Sequence, residues 1–208
     1  MFNRVTLMLA LAIMFLVVGG AFALTSGDVQ AKSIRFQTSV MTETGEDGMV
    51  VPGAATLTRS KKAISYKINT TELTPGHVYT IWTVIFNRPE NCDGDCSGPD
   101  LSVAKVRGSV VFGGSYIADA NGTGNFNDSL AKGSPPAGIQ VNVPAGTANG
   151  LINPMKAEIH LVLRTHGAPD ATRSIVQLST FEEQGLVEGD PCPAPDCVNV
   201  QFAAFPGP

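Results

Sequence analysis

The chain has 208 residues, enough for one domain plus a short targeting segment. Hydrophobic residues make up 43% and charged residues 15%, which excludes wholesale disorder and provides for a core. A net charge of −4 with no basic patch speaks against nucleic acid as a partner and against docking on anionic lipid.

Met1 to Arg4 is a short basic start, Val5 to Val18 carries no charge, and Gly19-Gly20-Ala21-Phe22-Ala23 follows. These are the parts of a secretory signal. Cleavage is expected after Ala23, or as late as Ala31, and no Cys follows the apolar run to take a lipid. The alternative is an uncleaved signal anchor over Val5 to Leu24, the only link to a membrane that the sequence offers. Residues 32–208 are then read as a single domain in the cell envelope or outside the cell. Removing residues 1–23 takes away Arg4 and no acid, so the net charge moves from −4 to −5.

In chain order, Ser33 to Met41 alternates apolar with polar, the period of a half-buried strand. Ala54 to Thr58 and Ala63 to Asn69 predict two more strands, with Arg59 to Lys62 as a polar turn. Ile64, Tyr66 and Ile68 should face in, and Ser65, Lys67 and Asn69 out. Pro75-Gly76 marks a turn. Val78 to Phe86 is apolar on both faces and predicts a strand buried on both sides. Val106 to Phe112 and Ser115 to Asp119 predict short strands around Gly113-Gly114, and Asn121-Gly122 signals a hairpin to Thr123–Leu130. Lys132 to Pro154 is loop-like, with one extended stretch at Ile139 to Val143. Ala157 to Thr165 and Val198 to Phe202 predict further strands, and Ala171 to Gln184 holds a short helix. The sum is an all-β fold, an antiparallel β-sandwich of Ig-like or Greek-key type with about seven to nine short strands, or alternatively an open barrel.

Cys92, Cys96, Cys192 and Cys197 are an even set in a chain expected to be exported, which implies disulfides. Local pairing, 92–96 and 192–197, needs the least chain closure and is the expectation. A four-thiolate zinc site would show C-x2-C knuckles, and these spacings are longer. On the strand at 157–166, Glu158, His160, Val162, Arg164 and His166 share one face, a candidate metal or polar-ligand set. The plain reading of the same pattern is an outward sheet face. His160 and His166 stand about 20 Å apart on an extended strand, too far for one metal ion. Asp93, Asp95 and Ser97, with Gly98 next, match the opening of a calcium loop, and Asp100 could add a ligand. No Glu stands at the twelfth position, Ala104, and an acidic surface turn accounts for the same residues. His77 lies in the turn beside Tyr79 and Trp82 and is a candidate binding residue together with Arg164; Tyr79 and Trp82 themselves read as core. Asn69-Thr-Thr71, Asn121-Gly-Thr123 and Asn127-Asp-Ser129 are formal glycosylation sequons. No serine-hydrolase elbow, zinc-protease helix, phosphate-binding glycine loop or free Cys-His pair occurs.

Leu73-Thr-Pro-Gly76-His-Val-Tyr79-Thr-Ile-Trp82 and the following Val84 to Pro89 resemble a group of secreted bacterial β-sandwich proteins. Ala157 to Gly167 and Cys197 to Ala203 fit the same group. The resemblance implies an exported β domain and carries no activity. The L-x-P-G-x-x-Y-x-x-W piece is also similar to a hairpin in the extracellular domains of some anti-sigma factors. The strand at His160 is similar to CHRD-type repeats, whose strands carry a His-x-His-Gly element; here Leu161 and Val162 follow His160, so its second His is missing.

The expected function is that of a non-catalytic envelope or extracellular module, structural or binding a protein or a glycan. The alternative is a metal-binding or redox protein that uses the strand at 157–166. No cofactor is indicated.

Overall fold

A computed structural model describes residues 35–43, 50–133, 150–172, 174–178 and 198–207, all within one compact unit, Lys32–Pro208. The expected signal, the stretch at Ile139 to Val143, and Cys192 and Cys197 lie outside the described residues. Among the described residues, no helix is long and apolar enough to cross a membrane.

The strands are β1 (Arg35–Glu43), β2 (Val50–Arg59), β3 (Ala63–Thr70), β4 (Val78–Phe86), β5 (Gly108–Ile117), β6 (Gly124–Ala131), β7 (Glu158–Thr165) and β8 (Asn199–Phe205). They follow the order β5-β4-β7-β8-β1-β2-β3-β6, and every paired neighbour is antiparallel. The β8–β1 join consists only of Thr42 opposite Phe202 and Glu43 opposite Gln201. There the sheet turns back on itself, and its two parts pack face to face as a β-sandwich. β5 and β6 approach each other without a ladder, so no barrel closes.

Alternation explains which side chains fill the interior. Ile64, Tyr66 and Ile68 of β3 are buried, while Ser65, Lys67 and Asn69 between them are exposed. They meet Leu57 of β2, Ile81 and Ile85 of β4, and Ile159, Leu161 and Leu163 of β7 in the main core. β4 is buried along its whole length, as its uninterrupted apolar sequence requires. Its second face, Trp82, Val84 and Phe86, packs under the segment that follows it, through Cys96, Leu101 and Val106. Cys92 and Cys96 form a disulfide in that segment.

Three expectations are corrected. Gly113-Gly114 does not separate two strands, because β5 runs through both, with a register irregularity between Thr80 and Trp82 of β4. Asn121-Gly122 does not close a hairpin. β6 pairs with β3 instead of β5, and the turn is an arch from one layer to the other. Asp119 Oδ1 accepts the Asn121 and Thr123 amides at 2.9 and 2.8 Å, and the Leu73 amide donates to Gly122 O at 3.0 Å. Gly122 has φ of +71°, which favours glycine. The expected helix is described over Ser174–Gln177.

Arg59 is the third correction. Expected in a polar turn, it is fully buried at the end of β2. Its guanidinium donates to Pro154 O and Ala157 O at 2.8 and 2.7 Å, to Phe205 O at 3.1 Å, and to the Gln37 side-chain oxygen. One side chain thus ties β2 to the start of β7 and the end of β8. The fixed fork of donors suits arginine to this task, and lysine lacks it.

Candidate functional site

The sequence placed Glu158, Arg164 and His166 on the more solvated face of β7. The structure corrects this for Arg164 and His166. β7 is an inner strand between β4 and β8, and its second face is covered as well. Val162 packs against the cluster around Trp82. At the far end, His166 is 1% exposed, and Gln177 Nε2 of α1 (Ser174–Gln177) donates to its backbone oxygen at 2.9 Å. Thr80 Oγ1 lies 2.8 Å from His166 Nε2 and accepts the Trp82 indole N–H at 2.8 Å. Burial, with the Arg164 charge as a lesser cause, lowers the His166 pKa to about 4. Arg164 Nη1 donates to Asn199 Oδ1 at 3.0 Å.

His160 stands at the other end of the strand. Its Nε2 is 2.7 Å from Glu158 Oε1, both side chains being 16% exposed, and its ring meets Phe86 edge to face at 5.0 Å. The two histidines are not brought together. His77 is half-buried in the Pro75-Gly76 turn. In the disulfide loop, Asp93 and Asp95 are exposed. Asp100, the further calcium ligand the sequence offered, accepts the Asp93 amide at 3.2 Å and the Ser97 amide and hydroxyl at 2.8 Å. These bonds, the Ser97 hydroxyl first, hold its carboxyl below the usual range, so its oxygens serve the loop. Among the described residues, no group of three or more His, Cys, Asp and Glu is placed to hold a metal ion.

Two concave sites stand out among the described residues. The smaller, about 240 Å³, is lined by Asn87, Arg88, Glu90, Ile152, Asn153 and Lys156. The Asn87 amide group there holds the neighbouring backbone, donating to Arg107 O and Gly150 O and accepting from the Ile152 amide, each at 2.8 Å.

The larger, about 640 Å³, is an open groove on the outer face of β2, β3 and β6, lined by Thr56, Thr58, Ser65, Lys67, Asn127 and Ser129, with Tyr66 and Asp128. The register explains it. Thr58 stands opposite Ser65, and Ser65 opposite Ser129; Thr56 stands opposite Lys67, and Lys67 opposite Asn127. Two cross-strand rows result, spanning about 10 Å over three strands and separated by about 7 Å along them. Tyr66 and Asp128, opposite each other, leave the sheet on its other face by the same alternation. Tyr66 Oη donates to Gly113 O at 3.1 Å across the core, and burial pushes its phenol pKa far up. Burial also raises the Asp128 pKa.

None of the six outward side chains makes a hydrogen bond or ion pair within the described residues. The interior polar side chains behave oppositely, as Arg59, Thr80 and Asn87 show. The sequence reading placed Ser65 and Lys67 outward but did not join them to Thr56, Thr58, Asn127 and Ser129. All three members of the sequon Asn127-Asp-Ser129 line the groove, Asn127 and Ser129 on its outward face.

A scan of family models, a search of curated proteins and a search of solved structures each found no match to the chain.

Proposed function

We propose that the protein is an exported, non-catalytic binding module whose ligand is a polyhydroxylated polymer, a glycan, held on the outer face of β2, β3 and β6. The observation that carries this reading is the groove of about 640 Å³ whose outward hydroxyl, amide and ammonium groups have no partner among the described residues. Such groups exchange hydrogen bonds with sugar hydroxyls, and their rows on a rigid sheet fix the spacing of donors and acceptors in advance. Export is supported by the basic–apolar–small order of residues 1–23 and by the Cys92–Cys96 disulfide, which suits an oxidising compartment. The metal or redox alternative on β7 has no comparable support, since Arg164 and His166 are buried and His160 is engaged with Glu158.

Electrophoresis of the whole chain through gels containing different polysaccharides tests the proposal. At least one glycan should retard it, and Ser65→Leu/Asn127→Leu should abolish the retardation without changing the melting temperature. Retardation that survives the double substitution places the site elsewhere, and mobility unaffected by every glycan overturns the reading.

A further inference from the structure

We infer that the groove selects a carboxylated polysaccharide, a polyuronate, and that Lys67 is the residue that reads the carboxylate; this rests on the glycan reading above. Lys67 occupies the middle strand of the three, with Thr56 opposite it on one side and Asn127 on the other. It is exposed and is the one cation among the groove's lining residues; the one carboxylate among them, Asp128, projects from the other side of the sheet by strand alternation. No carboxylate among the described residues forms an ion pair with the Lys67 ammonium.

A neutral glycan laid across the two rows would cover that ammonium with hydroxyls and offer it no counter-charge. A sugar carboxylate replaces the lost hydration with a charge-assisted hydrogen bond, while its remaining hydroxyls meet Thr56, Thr58, Ser65, Asn127 and Ser129. The net charge of the whole chain is −4, so its overall field repels polyanions. Retention of a polyuronate would therefore report a local contact, not bulk ion exchange.

The experiment compares polygalacturonate, its methyl ester and a polyglycerol phosphate as probes for the full chain, wild type, Lys67→Gln and Lys67→Arg. Melting curves confirm that each variant is folded, as expected for an exposed position. Wild type should bind the acid form about five-fold more tightly than the ester, the scale of an exposed ion pair. Lys67→Gln should erase that preference, Lys67→Arg should keep it, and 0.5 M salt should shrink it. Equal binding of acid and ester by wild type overturns the role of Lys67 but leaves the glycan reading intact. A preference for the phosphate polymer that Lys67→Gln removes overturns the carboxylate assignment. Binding to none of the probes or to any other glycan fails both readings together.

Discussion

His166 should make the fold sensitive to mild acid. The residue is buried, with the Arg164 charge near its ring. Thr80 Oγ1 accepts the Trp82 indole hydrogen and lies 2.8 Å from His166 Nε2. Burial and then Arg164 depress the folded-state pKa to about 4, against an ordinary 6.5. The unfolded chain therefore takes up a proton near pH 6.5 that the folded chain refuses until about pH 4. The resulting loss of stability starts as pH falls through 6.5 and is complete below 4, where it reaches about 3 kcal/mol. That is a large share of the roughly 5–15 kcal/mol that hold an ordinary domain together. Asp128, with its raised pKa, acts in the opposite sense and offsets part of the loss. Asp100, whose pKa is lowered, adds its loss at the acid end. Urea unfolding at pH 7 and pH 4, followed through the fluorescence of Trp82, the only tryptophan, measures the sum. His166→Gln removes the titration and keeps a polar side chain at the site. Its stability should fall about 3 kcal/mol less over that interval than that of wild type. Parallel pH profiles for the two proteins would refute the assignment.

Arg59→Met should cost at least about 3 kcal/mol in urea unfolding, because the Pro154, Ala157 and Phe205 carbonyls lose a buried donor; Arg59→Lys should recover only part of it. A Cβ at Gly113 would run into the Tyr66 hydroxyl. Gly113→Ala should therefore destabilise by about 1–3 kcal/mol, and Tyr66→Phe, which removes that hydroxyl, should restore part of the loss in a double-mutant cycle. Leu161→Ala, in the main core, should cost about 2–5 kcal/mol in the same assay, through lost burial and the cavity left behind.

Much of the strand layout was legible because alternation is a local property. The faces of β3 follow from Ile64, Tyr66 and Ile68 alone, and the double burial of β4 follows from its unbroken apolar run. The buried face of β7, with Ile159, Leu161 and Leu163, was legible for the same reason. What covers a polar face is not a local property. Arg164 and His166 are buried because β4, β8 and α1 surround them, and their polar partners, Asn199, Thr80 and Gln177, are supplied from elsewhere in the chain. Arg59 was misread on the same ground, since a charged residue beside a turn is exposed unless distant carbonyls converge on it.

The groove illustrates the harder limit. Thr56 and Thr58, Ser65 and Lys67, and Asn127 and Ser129 are three pairs of outward residues, each unremarked in its own strand. Only the register Thr56–Lys67–Asn127 sets them in a row. That register depends on Asn121-Gly122 acting as an arch. A hairpin there would have paired β6 with β5 and carried Asn127 and Ser129 away from Lys67. The choice is made by contacts outside the turn: Leu73 hydrogen-bonds Gly122, and Phe126 packs into the core with Leu73 and Ile68. Burial of Phe126 against β3 thus assembles the groove, and the Asn-Gly pair supplies only the backbone freedom to let it happen.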